Sequence, residues 1–364
     1  MRTILSCLLI AASSVAVAQS NYKEGSNAFA MYTQTGELKN LENAKKFIDA
    51  SYKTRRDSSN TRINILRSMV YSAISYADST RSIKNDKDPI DLTYEAFGRI
   101  KSRDLMSNPA EVKYIKQNLA AAHVYKAAKA MEKKDFEQAY NEYLKVKSLA
   151  VSNFDVQYNL AVLATETKQY EQAVQYYQEL VKRENAPVEH YLELTDIYRK
   201  TGAKQEVLNT LQNARVKFPE NKSVLMNLVQ EFAQLGEYKA IVPIIGEAIK
   251  YEPENIELHY LAGYANENAG NIGTAKSYYE QALQLNGNNY ESNLALGLIY
   301  LNDFLKDEDN VEAQYNAQNL LLKANEIRPY DVNALKSLAL YYEKAGDPAQ
   351  LDRVNLLLNQ LSNN

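Results

Sequence analysis

Apolar positions between residues 120 and 329 recur on two scales. At short range they fall three and four residues apart, which gathers them on one face of a helix. At long range the same columns return every 34 residues, so that segments starting at Ala120, Phe154, Val188, Lys222, Ile256 and Tyr290 align without gaps through a first helix. Near its end one column reads Leu160, Leu194, Leu228, Ala262 and Leu296, and the next reads Ala127, Ala161, Thr195, Val229, Gly263 and Gly297. A second helix follows, with columns Ala139, Ala173, Val207, Ile241, Ala275; Tyr143, Tyr177, Leu211, Ile245, Tyr279; and Val146, Leu180, Ala214, Ala248, Ala282. Alternating small and large residues allow close helix packing. The pattern predicts a chain of antiparallel helix pairs.

Gly202, Gly236 and Gly270 occupy the turn between the helices, where glycine takes a left-handed conformation without steric cost. Phe136, Tyr170, Tyr238 and Ile272 follow the turn and are expected to plug the gap between the helices. Pro219 and Pro253 close two segments. Pro329 joins that column if the segment from Tyr290 carries about eight extra residues, placed within 302–316 and expected to form a surface loop.

Leu194, Tyr198, Gly202, Ala214 and Pro219 in one segment, and Leu228, Phe232, Gly236, Ala248 and Pro253 in the next, resemble the tetratricopeptide repeat (TPR) family. A generic helical repeat of the HEAT or Sel1-like kind fits less well, because those units are longer or depart from a strict period. The resemblance implies an all-α fold, a right-handed α-solenoid of about eight to nine helix-turn-helix units. Residues 112–331 form the expected array. Before it, 19–111 reads as divergent helix pairs (21–32 with 41–52, then 61–76 with 89–103). After it, 332–364 reads as a capping pair with a polar end, and no enzyme or β-rich sorting domain is expected beyond it.

Arg2 followed by an apolar run from Ile4 and the exit Ala16-Val17-Ala18 describe a signal peptide over residues 1–18, bacterial in style and cleaved before Gln19. The run is too short for a membrane-spanning helix. The single cysteine, Cys7, precedes most of that run, which argues against a lipid anchor. A mature chain without cysteine suits export to a periplasmic or secreted location. Its charge is uneven: residues 19–154 hold 23 Lys and Arg against 16 Asp and Glu, whereas residues 155–364 hold 18 against 29.

Converging catalytic groups are absent from the pattern. His123, His190 and His259 lie two segments apart, roughly 20 Å or more given helix diameters. They are expected at the surface or in a groove, with no shared metal and no cofactor. No P-loop, nucleophile elbow or HExxH run occurs. Short basic clusters such as Lys53, Arg55 and Arg56 do not make the extended track that nucleic acid requires. The chain is therefore expected to be a non-enzymatic binding protein.

The TPR resemblance assigns the first helix of each unit to a concave groove and names the residues that face it. Asp155, Glu189, Ser223, Glu257 and Glu291 form one column; Tyr158, Leu192, Met226, Tyr260 and Leu294 the next; Val162, Asp196, Gln230, Tyr264 and Leu298 a third. Asn159 and Asn227 lie between them, where the family places asparagines that bond a ligand backbone. The implied partner is a protein or extended peptide with basic and apolar side chains. The carboxylate clamp of chaperone-binding TPR domains is not expected, since its lysine columns hold these apolar and acidic residues. Assembly or stabilisation of a bacterial envelope complex is the setting that the leader and the resemblance imply. Two alternatives are a carbohydrate- or cell-wall-binding accessory protein, for which 28 tyrosines would supply stacking surfaces, and a self-associating architectural subunit.

Overall fold

The structure is a computed structural model that describes residues 2–152 and 155–362, with side chains from residue 19 onward. Phe154, Asn363 and Asn364 therefore lie outside the described residues, as do the side chains of the expected leader. Among the described residues the fold is all-α, with twenty helices and no strand. The helices pack as consecutive pairs, the arrangement of an α-solenoid.

The chain divides into two compact units, Met1–Ala186 and Pro187–Asn364. In the first, α1 (Arg2–Thr35) pairs with α2 (Leu38–Ala50), and a short α3 (Arg55–Ser58) precedes α4 (Thr61–Ala77) and α5 (Pro89–Phe97). The short α6 (Ser102–Met106) leads to α7 (Pro109–Glu132) and α8 (Phe136–Leu149), then α9 (Gln157–Glu166) and α10 (Tyr170–Val181). The second unit holds five pairs: α11 (Val188–Thr201) with α12 (Lys204–Lys217), α13 (Lys222–Leu235) with α14 (Tyr238–Tyr251), α15 (Ile256–Asn268) with α16 (Ile272–Leu285), α17 (Tyr290–Lys306) with α18 (Val311–Ile327), and α19 (Val332–Ala345) with α20 (Pro348–Ser362).

All the positions read from the five apolar columns are buried, which ties the period in the sequence directly to the packing. Volumes compensate between two of those columns. Tyr143 and Tyr177 stand with Ala127 and Ala161, Leu211 and Ile245 with Thr195 and Val229, and Tyr279 with Gly263. A Cβ on Gly263 would sit 2.6 Å from the Tyr279 ring, so the missing side chain is what admits the tyrosine.

The turn column is more uniform in backbone than in sequence. Gly202, Gly236 and Gly270 have φ of 75°, 73° and 84°, and Lys134 and Lys168, in the same register, have φ of 59° each. Two lysines thus adopt the left-handed conformation that the repeat geometry imposes.

Two expectations are corrected. The extra residues of the segment from Tyr290 do not make a loop. They lengthen α17 and α18 to 17 residues each, against 14 in α13 and α14, joined by a short turn after Lys306. Ala317, Leu321 and Ala324 are buried in register with the shifted columns and Phe304 is buried in one cluster with the first two, so apolar contacts offset the cost of ordering the insertion. The helix expected over 89–103 ends instead at Phe97, where the Gly98 N–H caps the Tyr94 carbonyl at 2.9 Å, and α6 follows. The polar link after Ala77 is organised by Asp78, whose carboxylate accepts the N–H of Ser82 at 2.9 Å and of Ile83 at 2.7 Å. Burial works to raise the Asp78 pKa, but these hydrogen bonds outweigh it and hold it below the ordinary value.

Candidate functional site

Four of the expected groove residues, Asp155, Tyr158, Asn159 and Val162, lie in the first unit, and the other thirteen lie in the second. In the first unit, Asp155 is exposed and ion-paired with Arg183 from beyond α10. Tyr158 is exposed at the start of α9 and meets Tyr177 edge-on, with centroids 6.5 Å apart. Asn159 is half-buried.

In the second unit the structure brings four residues of neighbouring first helices around one open cleft. Met226 and Gln230 of α13 face Glu257 and Leu261 of α15 across a volume of about 480 Å³, with Val229, Ala233, Gln234, Asn255 and Leu258 completing the walls. The lining is apolar and amide, with a single carboxylate and no cation. Asn255 caps α15 by accepting the Leu258 N–H at 3.2 Å, which fixes the helix start that carries Glu257. Asn227 is half-buried and turns its amide group to the Ser223 carbonyl of its own helix at 2.8 Å.

An aromatic cluster flanks the cleft on α15. Tyr260 and Tyr264 stack with centroids 6.1 Å apart and an interplanar angle of 22°. Tyr238 meets Tyr264 edge-on at 4.7 Å, and Tyr279 lies 5.8 Å from Tyr260. The Tyr279 hydroxyl donates to Glu267 Oε2 at 2.7 Å, and burial followed by that carboxylate raises its pKa. Tyr238 is visible in the sequence only as a turn plug, since edge-on contact with α15 is not encoded in its own segment.

The acidic column is not uniform. Glu291 is half-buried and accepts from Arg328 at 2.6 Å, and that guanidinium also sits 4.0 Å over the Tyr290 ring. Glu189 and Glu257 are exposed and make no ion pair among the described residues. Leu192 is half-buried on α11. Leu294 does not face a groove alone: it packs against the core residues around Tyr290, Ala324 and Ala334.

The histidines also require correction. His123 and His259 are buried rather than at the surface, and His190 is half-buried. His259 Nε2 lies 2.8 Å from the Pro253 carbonyl. His123 joins three helices of the first unit, with Nδ1 at 2.6 Å from Glu142 Oε2 and Nε2 at 3.0 Å from the Tyr94 hydroxyl. The residue is 1% exposed, so it serves packing and hydrogen bonding rather than a dissolved substrate. Among the described residues no group of three His, Cys, Asp or Glu is placed to hold a metal.

Residues 154–187 and 256–289 match the tetratricopeptide repeat family model. The match supports the TPR family. The second of these segments contains Glu257, Leu258, Leu261 and most of the tyrosine cluster. No curated protein matches the chain. Among solved structures, MamA is 19% identical over 48% of this chain and 90% of its own, with a TM-score of 0.41. A second MamA structure, from MSR-1, is 22% identical over 48% and 95%, with a TM-score of 0.37. YrrB, a TPR protein with an unusual peptide-binding site, is 18% identical over 58% and 96%, with a TM-score of 0.40. Among the described residues no helix is long and apolar enough to cross a membrane.

Proposed function

We propose that the chain is a non-enzymatic scaffold that docks a protein or peptide segment in the α13–α15 cleft. The observation that carries this reading is the cleft itself. It offers Met226, Leu258 and Leu261 as apolar floor, Gln230 and Gln234 as hydrogen-bonding groups, and Glu257 as the one charge. A segment that places an aliphatic side chain on Met226 and a lysine or arginine beside Glu257 satisfies all three. Methionine adapts its shape to varied apolar partners. The tyrosine rings of the neighbouring cluster are engaged with one another, which favours protein docking over sugar stacking.

The composition of residues 1–18 supports a periplasmic or secreted address, and with it a role in assembling or stabilising a bacterial envelope complex. In-cell crosslinking from a photoreactive residue at Gln230, followed by mass spectrometry, tests the reading. A recurrent protein partner in the envelope fraction, lost in the Met226→Ala, Glu257→Lys double variant, is the expected result. Crosslinks that persist in that variant overturn it.

A further inference from the structure

The first unit carries a cleft of the opposite charge. Phe97 of α5, Leu105 and Met106 of α6, and Pro109 and Val112 of α7 form an apolar trough of about 560 Å³, closed on one side by Ala150, Val151 and Ser152. Lys113 and Lys116 line it, and no carboxylate does. Among the described residues neither lysine makes an ion pair. Met106 is 81% exposed, exceeded among the large apolar side chains of the described residues by Val216 alone, at 85%.

The trough exists because α7 runs past the repeat. The 34-residue register begins at Ala120, yet α7 starts at Pro109; one face of this added stretch packs on α1 and α4, with Tyr114 against Phe29 and Asn118 against Ser72, and its trough face is flanked by the short α6 and the residues after α8. Pro109, Val112, Lys113 and Lys116 recur at three and four residues and so share one face of α7. Apolar groups lie at one end of that face and two unpaired cations at the other.

We propose that this trough is a second docking surface, and that it takes an acidic amphipathic peptide segment. Apolar side chains of that segment fill the space beside Met106 and Val112, and carboxylates spaced three or four residues apart meet Lys113 and Lys116. The openness of the trough suits a protein segment lying along α7. The charge excess of the first unit draws such a segment in before contact, which makes association dependent on salt. The site is independent of the α13–α15 cleft, whose single charge is negative.

The test is selection of a displayed library of random peptides against the full chain, followed by binding of the synthetic form of the most enriched peptide. The expected peptide combines Asp or Glu with apolar residues at helical spacing. Its affinity falls about tenfold or more in Lys113→Gln with Lys116→Gln, and likewise in Met106→Ser. It also falls as NaCl rises from about 50 to about 500 mM. Binding that is unchanged in Met226→Ala with Glu257→Lys separates this surface from the other cleft. Lys113 is exposed, Lys116 is half-buried and neither makes an ion pair among the described residues, so the double variant is expected to melt with the parent. Failure to enrich any acidic peptide, or equal binding to the lysine variants, overturns the proposal. So does lysine-dependent pelleting with vesicles of anionic phospholipid in the absence of peptide binding, which would make the trough a membrane contact.

Discussion

His123 Nδ1 and Glu142 Oε2 lie 2.6 Å apart inside the first unit, and the pair couples α7 to α8. The Nδ1–H donates to the carboxylate, which leaves Nε2 to accept the Tyr94 hydroxyl, and Lys145 holds the other carboxylate oxygen at 2.9 Å. Burial is the main influence on the ring and holds its pKa below 6.5, although Glu142 opposes it. Burial likewise works to raise the Glu142 pKa, but Lys145 and His123 outweigh it and leave it below 4.5.

Both shifts make the unfolded chain the stronger proton binder, so stability rises with pH. The His123 contribution is complete above about pH 6.5 and is lost as pH falls through the depressed folded pKa. The Glu142 contribution follows at lower pH, below about 4.5. Urea titrations across that range should show this slope, and His123→Gln should flatten its upper part. Glu142→Ala strands a buried ring N–H and is expected to cost about 2–3 kcal/mol at neutral pH. A pH-independent denaturation midpoint between pH 7 and 5 would contradict the assignment.

Lys134 and Lys168 hold a backbone conformation suited to glycine. Lys134→Gly and Lys168→Gly should each stabilise the protein by about 1 kcal/mol, since the left-handed penalty of a side chain disappears. Gly236→Ala should do the reverse by a similar amount. Thermal melts of the three variants decide the matter, and a destabilised Lys168→Gly would show that its side chain matters more than its φ.

Gly263→Ala is expected to cost about 1–3 kcal/mol, because the new Cβ overlaps the buried Tyr279 ring. Tyr279→Leu alone opens a void and destabilises. The double variant restores a small–large pairing like Thr195 with Leu211, so its loss should be less than the sum of the two. Additive losses in a double-mutant cycle would deny the contact.

Glu257→Lys is exposed and should leave the melting temperature within error while weakening capture of a basic, apolar peptide by about tenfold. Tyr260→Ala is a poorer probe of docking than its position in the groove column suggests. Its ring packs on Tyr264 and Tyr279, so the variant should lose stability first, by about 2–4 kcal/mol. Paired calorimetry and peptide titration distinguish the two outcomes.

The helix pairs and their register are legible along the chain because a repeat unit must bury the same face each time it stacks. Local spacing of three and four residues sets that face, and the 34-residue return sets the neighbour it meets. The columns through Leu194, Val207, Leu211 and Ala214 need no structure to be recognised as core. Ala317, Leu321 and Ala324 show that the columns resume after the insertion, shifted but in phase.

What each polar or aromatic side chain does depends on residues distant in sequence. His123 and His259 read as surface groups because their partners, Tyr94 with Glu142 and the Pro253 carbonyl, do not follow from the repeat. The acidic column reads as uniform, yet Arg183 and Arg328 occupy two of its members and leave Glu257 open. Periodicity along one chain dictates burial, a property of each helix face. Pairing, charge neutralisation and the opening of clefts arise only when faces from different helices meet, and that is the part the tertiary structure decided.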